Sequence, residues 1–196
     1  MIPATHIFLL TTFVRKLAIG GAMAAFALLT GCAAVSPRYA PTIDNVKVLQ
    51  ALPGGSAKVG EFTAKEPALN HLSIRAGAYT SPYNDSYAEY FKEALLSELE
   101  SSGKLNRASK AVITGQLLKN SVDASIGTGT AMISVRVKVD QDSAVVFDKV
   151  ISAETHWESS FMGAIAIPAA RSNYVNTVTQ TLGKLFADPD FQRAIH

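Results

Sequence analysis

The sequence has a single cysteine, Cys32, which excludes an intramolecular disulfide framework. Its one charge-free apolar run, Leu17 to Leu29, falls short of the roughly 20 residues a membrane-crossing helix needs, and no later stretch of similar length is uniformly apolar. A basic excess is also missing once the N-terminal segment is set aside. All 16 acidic residues follow Cys32, whereas Arg15 and Lys16, two of the 18 basic residues, precede it, so the chain from Cys32 onward is formally neutral. That removes the electrostatic footprint of a nucleic-acid binder. Neither a phosphate-binding Gly-x4-Gly-Lys-Ser/Thr string nor a Gly-x-Ser-x-Gly nucleophile elbow occurs. Gly127-Thr128-Gly129 lacks a third glycine and falls between two strand patterns, so it reads as a turn. His71, His156 and His196 are far apart and lack metal-ligand spacing. Asp140 and Asp142 flank a turn that supplies too few oxygens for calcium. The expectation is a chain without metal or cofactor and without enzymatic activity.

What is present is concentrated at the start. Arg15 and Lys16 stand before the apolar run, and Leu29-Thr30-Gly31-Cys32 closes it. A positive region, a short apolar region and small residues together make an export signal rather than a structural helix. The string resembles the lipobox of bacterial lipoproteins: a branched apolar residue, a small residue, glycine or alanine, then cysteine. The resemblance implies cleavage between Gly31 and Cys32 and diacylglycerol on the Cys32 thiol. With about 0.8 kcal/mol per buried methylene, two or three acyl chains hold stably where one does not. A covalently occupied thiol also answers why an exported chain carries one cysteine. Residue 33 is alanine, not the aspartate that retains such proteins at the inner membrane of enteric bacteria, so the resemblance implies the outer membrane, periplasmic face. Ile7 to Leu10 sit where charges belong, which points to translation from Val14.

The chain divides by composition into a signal at 1–31, a lipidated tether at 32–45 and one domain at 46–196. Ala33 to Thr42, with small residues and two prolines, suits an extended spacer reaching about 30 Å from roughly ten residues. Strands are expected over 46–51 and 58–63, joined at Pro53-Gly54-Gly55-Ser56, and over 69–76 with Leu72, Ile74 and Ala76 on one face. Tyr87, Tyr90, Phe91, Ala94, Leu95 and Leu99 recur at helical spacing, with Glu89, Lys92, Glu93 and Glu98 expected in solvent. Asp85 or Ser86 can cap that helix and Gly103 end it. Three strands follow, at 111–126, 131–139 and 144–157, the last with Val145, Phe147, Ile151, Ala153 and Trp157 on one side. A final helix is expected from Pro168, with Val175, Val178, Leu182, Leu185 and Phe186 inward, and a break at Asp188-Pro189. The order strands, helix, three-stranded meander, helix predicts an α+β fold: a two-layer sandwich with a mainly antiparallel sheet and two main helices on one face.

Three features bear on function. His156 lies two residues from Glu154 and Glu158, which reads as a polar edge rather than a catalytic pair. Tyr87 and Tyr90 read as core; Tyr79 and Tyr83 fit either packing or a binding rim. The segment from Ser159 to Ala170 carries no charge. Buried, it links the last strand to the last helix beneath the sheet's rim, which is the expectation. Exposed, its Phe161, Met162, Ile165 and Ile167 would contact lipid or a protein partner; a split segment with half of it buried is the third alternative.

Tyr83 to Leu105, an aromatic-led amphipathic helix ending at a glycine, and the exit Trp157-Glu158-Ser159-Ser160-Phe161 resemble several small envelope lipoproteins. These are the YajG-like family, the auxiliary lipoproteins of ABC transport systems and the N-terminal module of TolB-like proteins. The resemblance implies a non-enzymatic accessory or adapter of a cell-envelope complex, with a membrane and an envelope protein as partners and no nucleic acid. A carrier or sensor of an apolar ligand, and an enzyme such as an acyltransferase, are the alternatives.

Overall fold

The computed structural model describes residues 34–196. The signal at 1–31, the start at Val14, the Gly31–Cys32 cleavage and the lipid on Cys32 lie outside the described residues. In chain order the elements are β1 (Ala34–Val35), α1 (Ile43–Gln50), β2 (Lys58–Ala64), β3 (Leu72–Ile74), β4 (Gly77–Thr80), α2 (Tyr87–Ser101), β5 (Val112–Asp123), β6 (Gly127–Gln141), β7 (Ala144–Ser159), α3 (Gly163–Ala187) and α4 (Pro189–Ala194). The fold is α+β, as expected. Its main sheet has the order β2-β5-β6-β7, antiparallel except for the β2–β5 pair; a second, three-stranded sheet runs β1-β4-β3.

Alternation builds the main sheet. Ala131, Ile133, Val135, Val137 and Val139 of β6 are buried, while Arg136 on the other face is exposed. The buried face lies under α2 and α3. Val178, Leu182, Leu185 and Phe186 of α3 and Phe91, Leu95 and Leu99 of α2 fill that layer, each large side chain contributing about 1.5–3 kcal/mol by leaving water. Among the described residues no helix is long and apolar enough to cross a membrane.

Several local expectations need correction. The strand expected at 46–51 is helix α1, because Asn45 and Leu49, four residues apart, are the positions that bury. The strand expected at 69–76 is a short 3-10 turn, then the β3–β4 hairpin. Its tight turn is Arg75-Ala76, both at positive φ (53° and 63°), which leaves Ala76 exposed rather than on the buried face. Val145 is 56% exposed, since a register shift after Val139 pairs it with Asp140 and breaks the alternation. Helix α3 begins at Gly163, so Pro168 lies inside it instead of at its start. Glu98, expected in solvent, is fully buried.

The largest correction concerns the spacer. From Ala34 it is extended, but it belongs to the domain. Ala34 and Val35 pair in parallel with Tyr79 and Thr80, and the Ser36 amide donates to the Thr80 carbonyl at 2.8 Å. Ser36 and Tyr39 are buried. Small residues and prolines make a chain extended; buried hydroxyls that need partners decide whether it is also held.

Candidate functional site

Two clusters of side chains determine how this segment and the far end of the sheet are held. The first is a group of tyrosines. Tyr79, Tyr87, Tyr90 and Tyr174 are each at most 2% exposed, and Tyr174 stands against the other three with ring centroids 5.8, 5.3 and 6.2 Å away. This confirms Tyr87 and Tyr90 as core and assigns Tyr79 to packing too, while Tyr83 remains half-buried. Each buried hydroxyl has a partner. Tyr79 meets the Ser36 hydroxyl at 2.9 Å, and Tyr90 donates to the Pro37 carbonyl at 2.9 Å. Tyr87 donates to the Tyr79 carbonyl at 3.0 Å and Tyr174 to Asn120 at 2.9 Å. Burial pushes all four phenols above their ordinary pKa, so they act as neutral hydrogen-bonding groups.

Glu98 extends this clasp. Its Oε1 accepts from Tyr39 at 2.6 Å, from Asn45 Nδ2 at 3.0 Å, and from the Thr42 amide and hydroxyl at 3.2 and 3.3 Å. Its Oε2 is buried without a protein partner. Burial, then the hydrogen bond to Glu98, raises the Tyr39 phenol well above its usual range. The entrance of α2 is similarly closed from afar. Asn70 Oδ1 accepts from the Tyr87 and Ala88 amides at 2.9 and 3.2 Å, and Ser86 Oγ from Glu89 at 3.1 Å. Ser86 was legible as a cap; Asn70, which precedes the helix by a whole hairpin, was not.

The second cluster sits at one pole, where β5 ends, β6 begins, and β7 passes into α3. Arg75 joins these segments. Its Nε donates to the Ala124 carbonyl at 2.7 Å and its Nη1 to the Phe161 carbonyl at 3.1 Å, while Nη2 reaches the Ser160 carbonyl. Ser159 Oγ also donates to the Ala124 carbonyl, at 3.1 Å. Held this way, Ile126 and Phe161 are 72% and 74% exposed, and Ile165 and Met162 are 56% and 47%. The expectation that 159–170 is buried therefore fails at Phe161, Met162 and Ile165, although Ser159 is buried. Ala166 and Ala170 turn inward and Ile167 is half-buried, because once α3 starts at Gly163 only one side of it faces the sheet. Neither Ile126 nor Arg75 was legible as part of this surface.

Arg75→Gln is expected to lower stability by about 2 kcal/mol, the magnitude of a lost charge-assisted hydrogen-bond set, measured by denaturant unfolding. Arg75→Lys should recover little, since a point-like ammonium cannot span three carbonyls. A loss below about 0.5 kcal/mol would show that the three segments hold without it.

The groups considered for catalysis are scattered among the described residues. His156 Nε2 lies 3.5 Å from Glu154 Oε1, both well exposed on the open sheet face. Asp142 sits in the β6–β7 turn against Lys110 at 3.1 Å, in water. A hollow of about 510 Å³, lined by Leu52, Pro53, Pro189, Gln192 and Ile195 among others, is an open depression at the end of the molecule away from Phe161.

No family model matches the chain, and no curated protein matches it. Among solved structures, it is similar to protein XCC0632 from Xanthomonas campestris, of family DUF330, at 13% identity and a TM-score of 0.58, over 79% of this chain and 92% of that one. Hypothetical protein CT253 from Chlamydia trachomatis is matched at 14% identity and a TM-score of 0.40, over 69% and 99% of the two chains. A minor lipoprotein from Acinetobacter baumannii is matched at 6% identity and a TM-score of 0.41, over 72% and 96%. At 13% identity the likeness to the Xanthomonas protein is one of fold.

Proposed function

We propose that this chain is a lipoprotein of the bacterial cell envelope, anchored through Cys32 and serving as a non-enzymatic accessory of an envelope complex. The observation that carries the reading is the string Leu29-Thr30-Gly31-Cys32, which ends the charge-free run and holds the sequence's one cysteine. Small side chains at 30 and 31 suit a peptidase that cleaves before the acylated residue, and the thiol is the strong nucleophile available for lipid transfer. Ala33, in place of a retention aspartate, makes the periplasmic face of the outer membrane the proposed location.

The packed layer between sheet and helices supports an accessory over a carrier, since a carried lipid needs an enclosed apolar chamber. Val135, Val137, Leu182 and Phe186 are each fully buried in that layer.

The test is Cys32→Ser, followed by fractionation and intact mass. The wild-type chain is expected in the membrane pellet with a diacylglyceryl mass on its first residue. The variant should leave the pellet or retain its unprocessed N-terminal segment. A variant that still sediments with envelopes, processed and unchanged in mobility, overturns the proposal.

A further inference from the structure

We propose that the pole bearing Ile126, Phe161, Met162 and Ile165 is a membrane-contact face that dips into the bilayer holding the Cys32 lipid; this rests on the anchored reading above. The argument begins with register. β1 runs parallel to β4, with Ala34 opposite Tyr79, and β4 begins just after the Arg75-Ala76 turn. The chain therefore enters the small sheet at its Arg75 end. Arg75 in turn holds the carbonyls of Ala124, Ser160 and Phe161. The point of chain entry, the β5–β6 turn with Ile126, and the start of α3 with Phe161 and Ile165 share one end of the molecule.

Chain length then removes the freedom to turn that end away. Two residue steps separate Cys32 from Ala34, and an extended chain covers at most about 7 Å in two steps. Slack does not resume beyond Ala34, because the Ser36 amide is bonded to Thr80 at 2.8 Å and Arg171 Nη2 donates to the Val35 carbonyl at 2.9 Å. A lipid on Cys32 thus brings this pole to the headgroups, where an exposed phenylalanine, two isoleucines and a methionine leave water. Contiguous exposed apolar side chains mark a contact surface, and the short leash makes that contact a lipid surface.

Charge identifies the mode of contact. The charged side chains bordering the patch along β5 and β7, Asp123 and Glu158, are acidic, and their two negative charges offset the two positive charges of Arg75 and Arg171, which are held on backbone carbonyls rather than extended into solvent. Contact is by apolar insertion, insensitive to salt, unlike the attraction of a polybasic segment to anionic lipid, which ionic strength screens.

The lone cysteine makes the test clean, since the lipid converts its thiol to an unreactive thioether. Full-length, lipidated Ile126→Cys, Phe161→Cys and Val145→Cys variants each carry one labelling site; Val145 is as exposed as Ile165 but lies at the start of β7, opposite Asp140 at the far end of the sheet. Each is labelled with an environment-sensitive fluorophore and reconstituted into phosphatidylcholine vesicles. Labels at 126 and 161 are expected to be quenched several-fold more by nitroxide lipid than the label at 145. They should also be protected from aqueous iodide, equally at low and high salt. Labels at 126 and 161 as wet as that at 145, with the diacylglyceryl mass present on Cys32, overturn the proposal and leave the anchor standing. Protection that appears only after envelope protein is added also overturns it, in favour of a protein partner. An absent lipid mass removes both readings and is recognised from the mass alone.

Discussion

Glu98→Leu is expected to lower the unfolding free energy by about 3–4 kcal/mol, taking about 1–3 kcal/mol for each buried donor left without an acceptor. For a domain of this size that corresponds to a fall of about 10 °C in Tm. Four donor groups from three residues converge on Oε1, the Tyr39 hydroxyl, the Thr42 amide and hydroxyl and the Asn45 side-chain amide, and leucine answers none of them. A buried carboxylate is itself costly, and replacing a whole buried polar set by apolar residues can be neutral or stabilising. Removing one member and stranding the rest is the damaging case. Glu98→Gln separates these effects. It keeps one acceptor oxygen for the convergent donors and places its amide where Oε2 already lacks a partner, so its cost should stay near 1 kcal/mol. Thermal unfolding of both variants measures the difference. Amide exchange at Thr42 gives an independent reading, faster in the leucine variant and little changed in the glutamine variant. Equal losses in the two would show that Glu98 matters only through its volume.

That Glu98 escaped the sequence reading is instructive, because its position was in plain view. It lies seven residues after Phe91 and four after Ala94, on the buried stripe by spacing, but its charge argued for the outside. Periodicity located the face of α2 correctly at Tyr87, Tyr90, Phe91, Ala94, Leu95 and Leu99, and residue type then assigned Glu98 wrongly, since its partners come from a segment some fifty residues earlier. The same division holds elsewhere. The alternation of β6 and the Asp188-Pro189 break were legible because each is local, the break being fixed by the Asp188 cap on α4. The Arg75-Ala76 turn was not, because positive φ normally announces itself with glycine or asparagine, and here the hairpin imposes it on two ordinary residues. Helix α1 was missed because Val46 and Val48 alternate like a strand, and the decision lies in what Asn45 and Leu49 meet in α2 and α3. Of the candidate surface, Phe161, Met162 and Ile165 were named from the absence of charge. Their exposure and the addition of Ile126 depend on contacts far apart in the chain.

The second large effect is expected at Tyr174. Tyr174→Ala should cost about 4 kcal/mol, the range for removing a buried aromatic ring, because this ring stands among Tyr79, Tyr87 and Tyr90 at 5.3–6.2 Å between centroids. Tyr174→Phe keeps the ring and loses only the bond to Asn120, so about 1 kcal/mol is expected. The two variants also differ in reach. Tyr79 and Tyr90 hold Ser36 and Pro37 with their hydroxyls, and a void at 174 lets those rings move while phenylalanine does not. The alanine variant should therefore show faster amide exchange at Ser36, and the phenylalanine variant should not. If the short leash between Cys32 and the domain is what holds the Phe161 pole against lipid, then labels at 126 and 161 should become wetter in the vesicle-bound alanine variant. Retention of full lipid protection there, with Ser36 exchange accelerated, would show that the patch holds its place in the bilayer by its own apolar contact rather than through the leash.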